Sequence, residues 1–298
     1  MSRFAVLALL AALALPAPAL AQPDLQGIWT NGTLTPFERP LALGTKAFYT
    51  PEEAAIEERQ ATERRNSRTR RPGDVGNDNE AFVDSGYRLV STRQTSLIVD
   101  PPDGRIPIRP EAEKRRDLNV NSLDSFETMS PWDRCITRSP TNLFPAGYNN
   151  AYQIVQTPSY VMIMSEMIHE ARIIPTDGRP HSKIRQWHGS SRGRWEGDTL
   201  VVETINFTDK TNFRGAGENL KLVERFSRTD ADTLTYRVTI EDPTTFTKPW
   251  TVQMPMMKSA EDVYEYACHE GNHGLEGILK GSRLQDKLNA TGTTQGRQ

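Results

Sequence analysis

The chain lacks the features that mark several large functional classes. Its 298 residues carry 36 Lys and Arg against 38 Asp and Glu, so it has no basic excess of the kind that binds nucleic acid. Beyond the N-terminus no apolar run reaches the roughly 20 residues of a membrane span, and no solenoid or propeller repeat occurs. There is no Gly-x-Ser-x-Gly elbow, phosphate-binding loop or dinucleotide fingerprint, so no cofactor is predicted.

The one long apolar run lies at the N-terminus, where residues 1–21 have the three parts of a secretory signal peptide. Arg3 is the positive n-region, residues 5–15 form the apolar h-region, and Ala19-Leu20-Ala21 is the small-x-small cleavage site. A membrane anchor is the alternative, but the run is shorter than a bilayer span. We therefore expect export, into the periplasm if the source is Gram-negative, with no membrane attachment after cleavage.

Cysteine is nearly absent, and the two that occur, Cys135 and Cys268, are an isolated even pair. In an oxidising compartment such a pair is more often a disulfide than two free thiols. Two alternatives stay open, a buried unpaired thiol and a nucleophile at Cys268 beside His269, although nucleophilic use needs a free thiolate. The sequence favours the disulfide.

The sequence after the predicted signal peptide divides into two parts that differ in composition and in predicted secondary structure. Residues 22–91 contain a short strand-like entry at Leu25 to Trp29, a charged surface helix over 51–71 and a turn-rich linker over 72–79. Thr50 before Pro51 is typical of an N-cap followed by proline at the first helical position. Residues 92–298 are predicted to form a β-barrel domain with a C-terminal helix.

Short strands with hairpin-sized links dominate this second part. The clearest is 233–240, where Leu234, Tyr236, Val238 and Ile240 share one face and polar residues share the other. Further strands are predicted at 96–99, 105–108, 151–156, 160–164, 168–174, 199–207, 220–226, 250–256 and 263–267, and a closing helix at 273–288. About ten such strands predict a mainly β fold, one antiparallel sheet closed into a lipocalin-like β-barrel.

Several longer motifs carry a resemblance to a known family. They are DLQGIW at 24–29, DPPDGR at 100–105, RCI at 134–136, DGRPH at 177–181, GRWEGDTLVVET at 193–204 and YEYACHEGN at 264–272. With these motifs the chain resembles a family of exported, mostly uncharacterised bacterial proteins. The resemblance covers most of the mature chain and implies an architecture rather than a shared activity. Gly27-x-Trp29 is also similar to the entry strand that closes lipocalin barrels.

The densest group of chemically active residues lies between 169 and 207. His169 and Arg172 fall on a predicted barrel strand, where such a pair could orient an anion or move a proton. Glu203 interrupts an apolar face, and burial there would raise its pKa and suit it to acid or base work. The structural alternatives are an ion pair between Glu170 and Arg172, and a salt bridge from Glu203 to an arginine.

Turn residues complete this predicted pocket. Arg179 and His181 would rim its mouth. Trp187 would either pack in the core or at the barrel end, which is favoured, or stack against a ligand. His269 and Glu270, next to the predicted cysteine bridge, would form a pinned wall.

A metal site is a weaker alternative. His269 and His273 are four residues apart, which on a helix places both rings on one face. With His169, His181 or His188 as a third ligand they could hold zinc or copper. Gly271 interrupts the segment and no His-Glu-x-x-His pattern is present, so no metal is predicted.

These residues predict a cofactor-independent lyase, isomerase or hydratase that moves a proton at a small apolar, for example aromatic, molecule. His169 would be the general acid or base, Arg172 and His181 would hold oxyanion charge, and Glu203 would assist. A non-catalytic periplasmic carrier of an apolar ligand is the main alternative, followed by a metal-dependent enzyme centred on His269. Convergence of the candidate residues on one cavity would favour the enzyme, and dispersal would favour a carrier or a structural role.

Overall fold

A computed structural model describes residues 22–66, 86–121, 123, 125–138 and 140–291. The predicted signal peptide, the linker at 72–79 and most of the basic run at 64–71 lie outside these residues. Within the described ranges there are three α-helices, α1 (Pro51–Asn66), α2 (Pro110–Asn121) and α3 (His273–Ala290). The strands are β1 (Gly27–Thr30), β2 (Ile98–Asp100), β3 (Ala151–Gln156), β4 (Tyr160–Ser165), β5 (Glu170–Pro175), β6 (Ser190–Glu196), β7 (Thr199–Ile205), β8 (Lys221–Arg228), β9 (Thr233–Glu241) and β10 (Trp250–Lys258).

One antiparallel sheet contains all the described strands. Nine of them follow one another in the order β5-β4-β3-β1-β10-β9-β8-β7-β6, and β2 pairs with β10 beside this path. The early strand β1 joins β10 to β3, with Trp29 opposite Lys258 on one side and Tyr152 on the other. β1 therefore lies inside the strand order, and the mainly β, nearly closed barrel is confirmed.

The barrel is incomplete at a seam between β5 and β6, the two ends of the strand order. No strand pairing joins them within the described residues. The two edges meet instead where the side chains of Ile174 and Thr176 pack against the backbone of Gly193 on β6. A Cβ atom built on Gly193 would lie 3.0 Å from Ile174 Cγ2 and 2.9 Å from Thr176 Cγ2, so the absence of a side chain lets the two edges approach.

The barrel interior is a packed apolar core. On β9 the residues Leu234, Tyr236, Val238 and Ile240 are all fully buried, as their alternation predicts. Large neighbours from the other strands fill the same space, among them Trp29, Tyr152, Phe226, Trp250 and Met254. These side chains pack against one another as in other protein cores, which reach the density of organic crystals.

The helices confirm most of the predicted local signals. Thr50 and Glu53 form a reciprocal capping box at the start of α1, with Thr50 N donating to Glu53 Oε2 at 2.8 Å. Helix α3 begins after Asn272, whose side chain accepts from Leu275 N. No helix in the described ranges has the length and apolar character to span a membrane.

Three of the sequence-based strand assignments are wrong. The hairpin of 96–99 and 105–108 does not form, because β2 pairs with β10 and not with residues 105–108. Residues 263–267 form no strand. The strand predicted at 168–174 begins only at Glu170, because Ile168 and His169 adopt left-handed φ values of 64° and 52°. Helix α2 is not predicted by the sequence.

The cysteine prediction is confirmed. Cys135 and Cys268 are bonded, 133 residues apart in sequence. The bridge ties the segment before α3 to the 131–138 segment, whose Thr137 contacts the start of β5. Both sulfur atoms are therefore occupied, and the nucleophile alternative for Cys268 is wrong.

Candidate functional site

A buried ion pair crosses the barrel interior behind the seam. Arg172 on β5 donates from Nη1 to Glu224 Oε2 at 2.7 Å and from Nη2 to Glu224 Oε1 at 2.9 Å. The Tyr236 hydroxyl also donates to Glu224 Oε1 at 2.9 Å. The side chain of Arg172 is 9% exposed and that of Glu224 is 0% exposed. Arg172 therefore has the predicted inward position, but its partner is Glu224 and not Glu170.

A second acidic side chain lies at the barrel end, two residues before Arg172 on the same face of β5. The Glu170 side chain is 13% exposed, and its Oε1 lies 3.4 Å from Nδ1 of His188, whose side chain is 33% exposed. Thr137 donates its hydroxyl proton to the same Oε1 at 3.2 Å. The other oxygen, Oε2, is buried, and the Asn142 side chain is a further hydrogen-bonding neighbour of this carboxyl that lowers its pKa. The pair therefore connects a buried carboxyl to an accessible imidazole.

Burial shifts the pKa values of this pair in opposite directions. Desolvation raises the pKa of Glu170 to about 8, although the Thr137 hydrogen bond and the Arg172 charge oppose the shift. Desolvation, followed by the positive charge of Arg172, lowers the pKa of His188 to about 4. Near pH 7 the pair is thus a carboxylic acid beside a neutral imidazole. Groups whose environments separate their pKa values in this way are typical of acid–base sites.

Local backbone features position both side chains. Gly189, directly after His188, has a φ of +65°, and a Cβ there would lie 2.6 Å from the Ile205 carbonyl oxygen. Glycine is therefore required for the loop to turn tightly against the end of β7. On the other side, Thr137 is buried and lies two residues from the bridged Cys135.

An arginine lies between two aromatic rings beside this loop. The Arg134 guanidinium is 5.7 Å from the ring of Trp187, the residue before His188, and 5.5 Å from the ring of Phe126. Both distances are within the range of cation–π contacts. Trp187 is half-buried and Phe126 is 52% exposed. Trp187 thus contacts a protein cation in this structure.

His169 does not lie on the barrel wall. It is exposed in a 3-10 turn before β5, and its backbone N–H donates to the Glu166 carbonyl. The residues after it on the same side of the strand, Ala171 and Ile173, are exposed, whereas the side chain of Arg172 points inward. The expectation that His169 and Arg172 both face the interior is wrong, because strand alternation separates them.

Glu203 also faces away from the interior. Its neighbours Val202 and Thr204 are fully buried, while Glu203 is 32% exposed and lies 2.7 Å from the Lys221 ammonium. The Lys221 hydrogen bond lowers the pKa of Glu203, which is opposite to the predicted rise. His181 Nε2 lies 3.4 Å from Glu203 Oε1, so these two candidates do meet, on the outer face.

The remaining candidates are dispersed over the surface. Arg179 donates from Nε to Asp177 at 2.9 Å and lies over the Tyr160 ring. His269 and Glu270 are exposed in a turn before α3, which begins at His273, so the two histidines do not share a helix face. No group of three or more His, Cys, Asp or Glu able to hold a metal occurs within the described ranges.

A surface groove of about 1570 Å³ runs beside the disulfide. Its lining includes Cys135, Cys268 and the stacked rings of Tyr148 and Tyr266, whose centroids are 6.5 Å apart. Burial and the hydrogen bond with Tyr266 raise the pKa of Tyr148 to about 12. Chain neighbours of His269 and Glu270 line this groove, but these two residues do not.

Sequence reasoning misses the Glu170–His188 pair. Both residues lie in the polar stretch between 169 and 207, but the sequence suggests an arginine partner for Glu170 and a metal-ligand role for His188. Their contact depends on the course of the chain between β5 and β6, and the local sequence there shows no pattern that predicts this course. The sequence signal that could indicate an inward position for Glu170 is the alternation of side chains along β5. Glu170 shares its strand face with Arg172 and Ile174.

No protein-family model matches this chain, and no curated protein matches it. The resemblance to exported bacterial proteins therefore stays an expectation.

Proposed function

We propose that this chain is an enzyme that moves a proton at a small organic molecule, with His188 as the catalytic residue and Glu170 as its buried proton partner. The reaction class is the predicted one, a lyase, isomerase or hydratase reaction, but the residues differ. The observation that carries the proposal is the 3.4 Å contact between a buried carboxyl and a partly exposed imidazole. Active-site hydrogen bonds are often this long before substrate binds and shorten in the complex.

The proposed cycle begins with the pair in its neutral form. His188 Nε2, which has no hydrogen-bond partner among the described residues, donates its proton to a substrate atom. At the same time Nδ1 accepts the carboxyl proton from Glu170 Oε1, so the imidazole stays neutral and Glu170 becomes a carboxylate. Nε2 then removes a proton from a second substrate atom, and Nδ1 returns its proton to Oε1. The net result is a proton moved between two positions, with the protein unchanged.

Arg172 acts as a positioning residue in this scheme. Its charge favours the Glu170 carboxylate that forms during the cycle. It also adds to the desolvation that lowers the pKa of His188 and keeps the imidazole neutral. Its terminal nitrogens are already bound by Glu224, which fixes the guanidinium inside the barrel. A fixed charge of this kind costs no reorganisation when the reaction occurs.

The packed interior favours this proposal over an apolar-ligand carrier. A carrier of the predicted kind would hold its ligand in the lumen, where the chain instead places Tyr152, Phe226 and Trp250 with no exposure above 1%. A site at the barrel end needs no such cavity. The dispersal of His169, His181 and His269 argues against the catalytic set that the sequence predicts, but it does not affect the Glu170–His188 pair.

Deuterium incorporation tests the proposal even though the substrate is unidentified. The purified protein is incubated in D₂O with a panel of small enolisable carbonyl compounds and unsaturated aromatic compounds, and carbon-bound deuterium is measured by mass spectrometry. We expect exchange above the protein-free rate for at least one compound. Because a positioned acid–base group contributes about 10²–10⁴-fold, His188→Gln and Glu170→Gln should reduce that exchange by at least about 100-fold.

The chain offers a matched control for this experiment. His181 and Glu203 form an imidazole–carboxylate contact with the same 3.4 Å separation, but on the outer face. His181→Gln and Glu203→Gln should leave exchange within about twofold of the unmodified protein, and so should His169→Ala, since none contacts the proposed site. Exchange that survives His188→Gln, or that is lost in His169→Ala alone, would overturn the assignment.

A further inference from the structure

Arg134, which contacts the residue before His188, is a cation for which the described residues supply no counter-charge. The described residues place no carboxylate oxygen within 4 Å of its guanidinium and give it no hydrogen-bond partner. The neighbouring acid, Asp133, is occupied, because its Oδ2 accepts the Ser130 hydroxyl at 2.7 Å. Within the described ranges, no residue takes up any of the five N–H donors of the Arg134 guanidinium.

The two rings restrict how Arg134 can be used. With Phe126 and Trp187 both in cation–π contact, the side chain is held in place while its N–H groups stay unpaired. A planar guanidinium held in this way is prepared for a planar, bidentate anion such as a carboxylate, and loses less conformational freedom when it binds.

Arg134 and the Glu170–His188 pair are linked by two short connections. Trp187, which contacts the guanidinium, immediately precedes His188 in the chain. Thr137, three residues after Arg134, donates its hydroxyl proton to Glu170. A small molecule bound by Arg134 would thus lie beside the loop that carries the proposed catalytic imidazole.

We propose that Arg134 binds the carboxylate of a small organic acid, so that the substrates of this protein are organic anions rather than neutral apolar molecules. The statement that this anion is a substrate rests on the proposed function. The anion site itself depends only on the contacts of Arg134. The two aromatic rings beside the guanidinium favour a ligand that has an apolar or aromatic body and one carboxylate. Here the proposal departs from the neutral ligand that the sequence predicts.

A binding titration tests the anion site independently of turnover. The ¹⁵N-labelled protein is titrated with sodium benzoate and, separately, with benzyl alcohol, and the indole N–H resonance of Trp187 is followed after assignment with Trp187→Phe. We expect saturable shifts with benzoate and at least about tenfold weaker binding of the uncharged alcohol, a difference of about 1.4 kcal/mol. Arg134→Gln should weaken benzoate binding by at least about tenfold, and Arg134→Lys should restore part of it.

Arg179 provides the matched control. It also lies over an aromatic ring, with its guanidinium 5.1 Å from the Tyr160 ring centroid, but it is already paired with Asp177. Arg179→Gln should leave benzoate binding unchanged. Equal affinity for benzoate and benzyl alcohol, or unchanged binding in Arg134→Gln, would overturn the anion site.

The two proposals fail separately. If His188→Gln binds benzoate normally but has lost deuterium exchange, both are supported. Arg134-dependent binding in a protein that catalyses no exchange would leave the anion site and remove the proton-transfer function. Exchange of neutral compounds that is unaffected by Arg134→Gln would leave the enzyme and remove the anionic substrate class.

Discussion

Arg172 on β5 and Glu224 on β8 form a bidentate ion pair across the interior of the barrel, although their strands are not neighbours in the sheet. β5 is one edge of the seam, and β8 lies two strands beyond the other edge. The pair therefore links the two sides of the seam, where no strand pairing occurs among the described residues. Tyr236 supplies a further hydrogen bond to the same carboxylate.

Removing one partner of this pair should strongly destabilise the fold. Glu224→Gln leaves the guanidinium of Arg172 buried without a counter-charge, so the free energy of unfolding in urea should fall by about 3–5 kcal/mol. The partly exposed pair of Glu203 and Lys221 is the control, and Glu203→Gln should cost less than about 1 kcal/mol. Similar losses in the two variants would show that the buried pair does not stabilise the seam.

The seam should also be sensitive to volume at Gly193. Its alanine variant places a methyl group within about 3 Å of Ile174 and Thr176, so the two edges must move apart and stability should fall by about 1–3 kcal/mol. Gly277 in α3, where a Cβ would meet nothing within 4 Å, is the control. Gly277→Ala should be neutral or stabilising by up to about 1 kcal/mol, and an equally neutral Gly193→Ala would contradict the close approach.

Reduction of the disulfide should lower stability through the unfolded state. A bridge between residues 133 positions apart restricts the unfolded chain by about 4–5 kcal/mol in the chain-entropy model, and measured effects are commonly about 2–5 kcal/mol. The urea midpoint should therefore fall when a thiol reductant is added. The Cys135→Ser, Cys268→Ser double variant should have the lower midpoint with or without reductant. An unchanged midpoint on reduction of the unmodified protein would exclude a stabilising role.

Glu170 should make the free energy of unfolding fall as pH rises from about 4.5 to about 8. Its pKa is about 8 in the folded chain and 4.5 in the reference state, so the folded state holds the extra proton and loses its advantage as pH rises. His188 acts oppositely, since its pKa falls from 6.5 to about 4, and its contribution is lost only as pH falls below 6.5. Of these two groups, only Glu170 therefore changes the free energy of unfolding above pH 6.5.

This dependence is measured by comparing urea unfolding of the unmodified protein and Glu170→Gln at several pH values. Relative to the variant, the unmodified protein should lose about 1–2 kcal/mol between pH 6.5 and 8. Glu203→Gln serves as the control, because a lowered pKa at Glu203 produces no slope in this range. A constant difference between the unmodified protein and Glu170→Gln would show that Glu170 ionises normally.

Local patterns predict those parts of the molecule that local physics determines. The alternation on β9, the N-cap at Thr50 and the cysteine pair are all present as predicted, because each depends on near neighbours or on solvent and redox environment. The site depends on contacts between distant residues, such as Arg172 with Glu224. The left-handed turn at Ile168 and His169 then decides which residues of β5 face inward, and no periodicity in the sequence indicates that turn.

The proposed proton transfer depends most directly on the ionisation of Glu170 and His188. A pH titration by NMR, following the side-chain carboxyl ¹³C of Glu170 and the imidazole resonances of His188, measures both pKa values in the intact protein. We predict that Glu170 titrates near 8 and His188 near 4, so that both are neutral at pH 7. A Glu170 pKa near 4.5 together with a His188 pKa near 6.5 or above would contradict the proposed proton-transfer pair.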